Sequence, residues 1–168
     1  MKVLVQVGTA LAVVVLAAAG AAAATTKYGS EAGWDIYVDS AMGPGCLITK
    51  DLPNGEQLQM GIDVSTANKR GYIALYTKAG ANVGAGEQIS VLFDIDGQQF
   101  SGEAKGQKIE GFTGAYVRAN NPEFIYDLAK KHTLTMTPQG RDPIVVSLDG
   151  TNNAFKALRT CQDAQQAV

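Results

Sequence analysis

Histidine and tryptophan occur once each in the 168 residues, cysteine only twice, and Lys and Arg never in a run longer than two. Each scarcity excludes something. Two isolated cysteines and one histidine fall short of the four ligands of a structural zinc site. Fourteen basic against sixteen acidic side chains give a formal net charge of −2. Without clustered basic residues, nucleic acid is not an expected partner. No G-x-S-x-G surrounds Ser30, Ser65 or Ser90, and neither G-x-x-x-x-G-K-[ST] nor a strand-to-helix G-x-G-x-x-G occurs. Serine-nucleophile and nucleotide chemistry therefore lack a sequence basis, and no cofactor is called for.

What the sequence has is concentrated at its start. Nineteen of the first 24 residues are apolar, and without them the apolar share falls from 46% to roughly 40%, ordinary for a soluble domain. Lys2, the uncharged run from Val3 and the small residues closing at Ala22 and Ala24 have the layout of a secretory signal peptide, residues 1–24, with cleavage before Thr25. Val3 to Ala24 is also long enough to act as an uncleaved anchor, but Ala is only weakly driven into lipid, so cleavage is the preferred reading and no stable membrane span is expected afterwards. The first cysteine after the run is Cys46, which excludes a lipid anchor on a +1 cysteine. In an oxidising compartment an even cysteine count implies pairing, here Cys46 with Cys161.

Residues 25–168 read as a single β-rich domain. Trp34, Ile36 and Val38 alternate with polar partners as a half-buried strand. Segments 46–50 and 58–64 flank Leu52-Pro53-Asn54-Gly55-Glu56, and a type I turn followed by a left-handed Gly55 places Ile48 opposite Met60. Tyr72 to Thr77 is apolar enough for burial on both faces. The small residues from Gly80 to Gly86 read as a flexible loop. Ile89 to Ile95 turns at Asp96-Gly97 into Gln98 to Ser101, with the type I′ turn pairing Phe93 with Phe100. Further strands are expected at 112–117, 133–137 and 144–148.

Two helices complete the pattern. Asn121 caps one whose first position is Pro122 and whose end carries Lys130 and Lys131. Thr151 or Asn152 caps another, with Ala154, Phe155, Leu158 and Cys161 on one stripe and a fraying tail from Gln162. The fold class is α+β, mainly antiparallel β, as a sandwich or partly closed barrel of eight to nine strands with two packed helices.

Chemistry-bearing groups are sparse. His132 follows a predicted helix end, where the charged form is favoured and no base partner is indicated. Asp94, Asp96 and Gly97 lack the spacing of a calcium loop, so no metal site is assigned. Asp35, Asp39, Asp94 and Glu103 lie on strands and could supply a carboxylate pair only if two of them face across a cleft. No residue is assigned a catalytic role. Tyr28, Tyr37 and Tyr76 form a candidate contact surface.

Trp34 followed by Gly45-Cys46-Leu47-Ile48, and the closing stretch from Ser147 through Gly150 to Leu158, resemble secreted bacterial envelope proteins of the invasion-associated locus B type. That resemblance implies a periplasmic or secreted protein of a Gram-negative bacterium, without catalytic residues to carry over. The expected function is a non-enzymatic envelope module binding another envelope or extracellular protein. The alternatives are an inhibitor of an exported hydrolase and a small carboxylate-dependent hydrolase.

Overall fold

The computed structural model describes residues 25–166 apart from 66, 79 and 110; the signal-peptide assignment to residues 1–24 lies outside the described residues. Ten antiparallel strands follow one another with few interruptions: β1 (Thr25–Glu31), β2 (Trp34–Asp39), β3 (Gly45–Asp51), β4 (Glu56–Asp63), β5 (Arg70–Thr77), β6 (Gln88–Ile95), β7 (Gln98–Ile109), β8 (Phe112–Ala119), β9 (Thr133–Pro138) and β10 (Ile144–Ser147). Helix α1 (Glu123–Asp127), extended by a 3-10 turn at Leu128–Lys130, lies between β8 and β9, and α2 (Thr151–Gln166) closes the chain. The fold is α+β with a mainly antiparallel sheet.

All ten strands join one continuous sheet in the order β1-β2-β3-β4-β5-β8-β7-β6-β9-β10. It is an open sheet, with β1 and β10 at its edges, rather than two stacked sheets or a closed barrel. It is nevertheless strongly coiled. Strands β5 and β10 are five places apart, about 24 Å in a flat sheet, yet Leu75 and Ile144 line the same cavity. One core runs from Trp34 and Ile36 on β2 to Met136 and Val146 on β9 and β10.

Turn chemistry fixes the register. Gly55 adopts φ +81° and donates its N–H to the Leu52 carbonyl, the predicted bulged turn, and Ile48 pairs with Met60. Phe93 pairs with Phe100 across Asp96-Gly97, with both turn residues at positive φ. The tenth strand, β1, was not expected, because its seven residues are nearly all exposed and show no apolar alternation.

The helices cover one end of the inner face. Ile125 of α1 drops onto Gly71 of β5, where any Cβ would collide with it. Helix α2 packs its Ala154, Phe155, Leu158 and Cys161 stripe into the core. Its start departs from the capping expectation: Thr151 is already the first helical residue, and its hydroxyl donates to the Leu148 carbonyl at 2.6 Å. Its end does not fray at Gln162, since the helix continues to Gln166 and Gln162 is buried.

Candidate functional site

Cys46 and Cys161 form the predicted disulfide, with Cα atoms 6.2 Å apart across 115 positions of sequence. The inward alternation of β3 aims one sulfur at the core and the stripe of α2 aims the other. The next helical residue reinforces the junction: Gln162 Oε1 accepts the Cys46 N–H at 2.9 Å, although its buried Nε2 has no partner among the described residues. Strand β3 and helix α2 are thus tied covalently and by a buried hydrogen bond. Nearby, Trp34 Nε1 donates to the Asp149 carbonyl at 3.2 Å, and Gly150, at φ +83°, lies against Ala32 where a Cβ would not fit.

The three candidate tyrosines do not form one exposed surface. Tyr28 occupies a bulge on edge strand β1 and is 46% exposed. Tyr37 is half-buried and packs on the outer face with Leu47, Tyr72 and Tyr76. Tyr76 is 4% exposed, a correction to its assignment as a contact residue. The cause is glycine opposite tyrosine. Tyr72 pairs with Gly61 and Tyr76 with Gly114, and the rings lie so close that an added Cβ would stand 2.9 and 2.8 Å from them. A glycine in a sheet leaves a gap that an aromatic ring can lie down to fill. Burial then pushes the Tyr76 hydroxyl up to about 12, and it donates to Gln107 Oε1 at 2.9 Å.

The strand carboxylates are each engaged in local structure. Asp35 accepts from the Ser30 hydroxyl at 2.6 Å and pairs with Lys27 at 2.9 Å, and these two partners hold it below the usual carboxylate value. A general acid requires the opposite shift. Asp39 accepts from the Ala41 N–H, Asp94 from the Gly97 N–H and Gln99, and Glu103 from the Ser90 hydroxyl. Asp96 accepts from the backbone N–H groups of His132 and Thr133, pinning the hairpin turn to the start of β9. Among the described residues no three His, Cys, Asp or Glu side chains converge as a metal site, and no helix is long and apolar enough to cross a membrane.

The feature that sequence reading missed is a cavity of about 120 Å³ at the end of the inner face away from the helices. Its walls are apolar, with Ile73, Leu75, Phe93, Val117 and Met136 among them, and Glu56, Thr77, Thr113 and Arg141 also contribute. Small inward residues on two neighbouring strands, Ala104 on β7 and Ala115 on β8, thin its wall. Gly102 and Gly106 do not open space themselves, since the Phe93 ring covers the first and Val83 with the Gly84 carbonyl covers the second.

The Gly80–Gly86 segment closes over this end instead of waving free. Val83 is buried, Gly84 N–H donates to Glu87 Oε2 at 2.6 Å, and Gly106 exchanges backbone hydrogen bonds with Gly86 and Glu87. Arg141 Nη2 donates to the Asn82 carbonyl at 2.6 Å, joining the loop to the β9–β10 turn. Ala104 and Ala115 at inward strand positions were the available signal, masked because small residues in a strand read as weakness. In comparisons with known proteins the chain matches no family model, no curated protein and no solved structure.

Proposed function

We propose that the protein is an exported, non-enzymatic module that binds another protein of the bacterial envelope along the free edge of β1. The observation that carries this reading is the edge itself: seven residues, paired on one side only among the described residues, with Tyr28 exposed on it. Unpaired N–H and C=O groups on an edge accept an incoming strand, and flanking side chains select which one. Lys27 and the bulge at Tyr28 oppose indiscriminate self-pairing of the kind that leads to aggregation. Tyr37, one strand inward, extends the contact surface. Support for export comes from the disulfide and the leader pattern, and the resemblance to the invasion-associated locus B type supports a Gram-negative periplasmic setting.

The two alternatives have less support. An inhibitor needs a preorganised loop that protrudes, whereas Val83 is turned inward. A carboxylate hydrolase needs a facing acid pair, whereas the strand acids are occupied by neighbouring donors. Replacing Tyr28 by a photo-crosslinking phenylalanine and irradiating exporting cells tests the proposal. One discrete adduct is expected, absent when the crosslinker is placed at exposed Glu103 on β7. No adduct at position 28, or the same adducts at both positions, would refute edge binding.

A further inference from the structure

We propose that the apolar pocket between β5–β10 and the 80–87 loop binds the terminal segment of an uncharged alkyl chain. The size sets the ligand. An engineered apolar cavity of about 150 Å³ stays dry and takes up benzene, so about 120 Å³ accommodates roughly five carbons by the same scale. The lining sets the chemistry. The walls are Ile, Leu, Val, Phe, Met and Ala side chains, which offer a polar ligand nothing to replace its lost water. The polar part of the lining sets the charge. Glu56 and Arg141 supply one charge of each sign, with Thr77 and Thr113 beside them in the lining, which favours neither an anionic nor a cationic head.

The construction of the space points the same way. Two adjacent strands place Ala104 and Ala115 in its wall, while the surrounding strands present Ile73, Leu75, Phe93 and Met136. Collapse of the void is resisted because the sheet hydrogen bonds of β7 to both β6 and β8 fix its walls. The Arg141–Asn82 hydrogen bond and the buried Val83 define the rim through which a chain end would pass. This binding site is independent of edge docking through β1, which lies at the far side of the sheet order.

Methyl-resolved NMR of the purified protein, titrated with 1-pentanol and separately with 1,5-pentanediol, tests the assignment. Saturable shifts are expected with pentanol at the methyls of Ile73, Val117 and Met136, and not at Ile36 or Leu158. Ala115→Leu should fill the space and weaken pentanol binding at least tenfold; Ala104→Val, a smaller change, should weaken it severalfold if the larger variant does not fold. Vesicles of zwitterionic phosphatidylethanolamine reproducing the cavity shifts would identify a lipid chain as the source. Cavity shifts with free pentanol alone would identify a small molecule. Absence of saturation, equal shifts with the diol, or undiminished binding by both filled variants would overturn the proposal.

Discussion

The two ends of the inner face are built to opposite standards. At the helix end, Cys46, Ile125, Leu158 and Cys161 are completely buried, and a covalent bond joins sheet to helix. At the loop end, Val83, Ile89 and Val91 retain 7–9% exposure around the pocket, and hydrogen bonds with the buried Val83 side chain hold the loop. Strand β5 runs through both, with Gly71 beneath Ile125 and Leu75 at the cavity. The difference teaches that stability is concentrated where the chain closes on itself. The loop end is left free to carry a space that packing alone would eliminate.

The sharpest way to break this contrast is to remove the staple. Cys46→Ser with Cys161→Ser reopens a loop of 115 positions, and the chain-entropy model puts the loss near ~5 kcal/mol as an upper figure. Urea unfolding with and without reductant checks it: the wild type should lose stability on reduction and the double variant should not respond. Next in size is Leu158→Ala, expected to cost about 3 kcal/mol by cavity formation at a fully buried position. The midpoint of denaturant unfolding should fall without a change in slope. An equal loss from truncating Val83 at the loop end would erase the proposed asymmetry.

How much of this was legible depended on which physical signal each element sends. Hairpins with a forced backbone, at Gly55 and at Asp96-Gly97, could be read to the exact partner because left-handed residues leave few registers. The cysteine pair was readable because β3 alternation and the α2 stripe each pointed inward. Strand β1 was not, since an exposed edge strand has no apolar face to announce it. Tyr76 was misassigned because its burial depends on Gly114 of a strand distant in sequence. The cavity sends only a negative signal, the small Ala104 and Ala115, whose meaning appears once β7 and β8 are known to be neighbours.

Electrostatics offers a smaller test on the outer face. Asp63 is buried on β4 and pairs with Arg118 Nε at 3.0 Å across β5. Burial pushes its carboxyl up, but the Ser65 hydroxyl and N–H together with the Arg118 and Arg70 charges outweigh that and hold it below the usual value. Because the folded form has the lower pKa, the stabilisation is full above the unfolded carboxyl value near ~3.9. It fades as pH falls from there through the folded value. Asp63→Asn should cost about 2 kcal/mol at neutral pH, from the loss of charge-assisted hydrogen bonds. The gap between variant and wild type should narrow below about pH 4. A constant gap across that range would mean that the carboxylate charge contributes nothing.

The smallest expected effect runs in the other direction and bears most directly on the two ends. Ala104 is buried on β7 beside the cavity, so Ala104→Val adds methyl groups to empty space rather than to occupied volume. Filling a space of this kind commonly gains about 0.5–2 kcal/mol, whereas the same enlargement in a packed core costs about 1–3 kcal/mol. Ala154→Val in the fully buried stripe of α2 provides the packed counterpart, with the added cost of a β-branched residue in a helix. Thermal unfolding should rise for the first variant and fall for the second. If both fall, the walls of the cavity are as unforgiving as the helix end, and a space held open against collapse would no longer describe this half of the molecule.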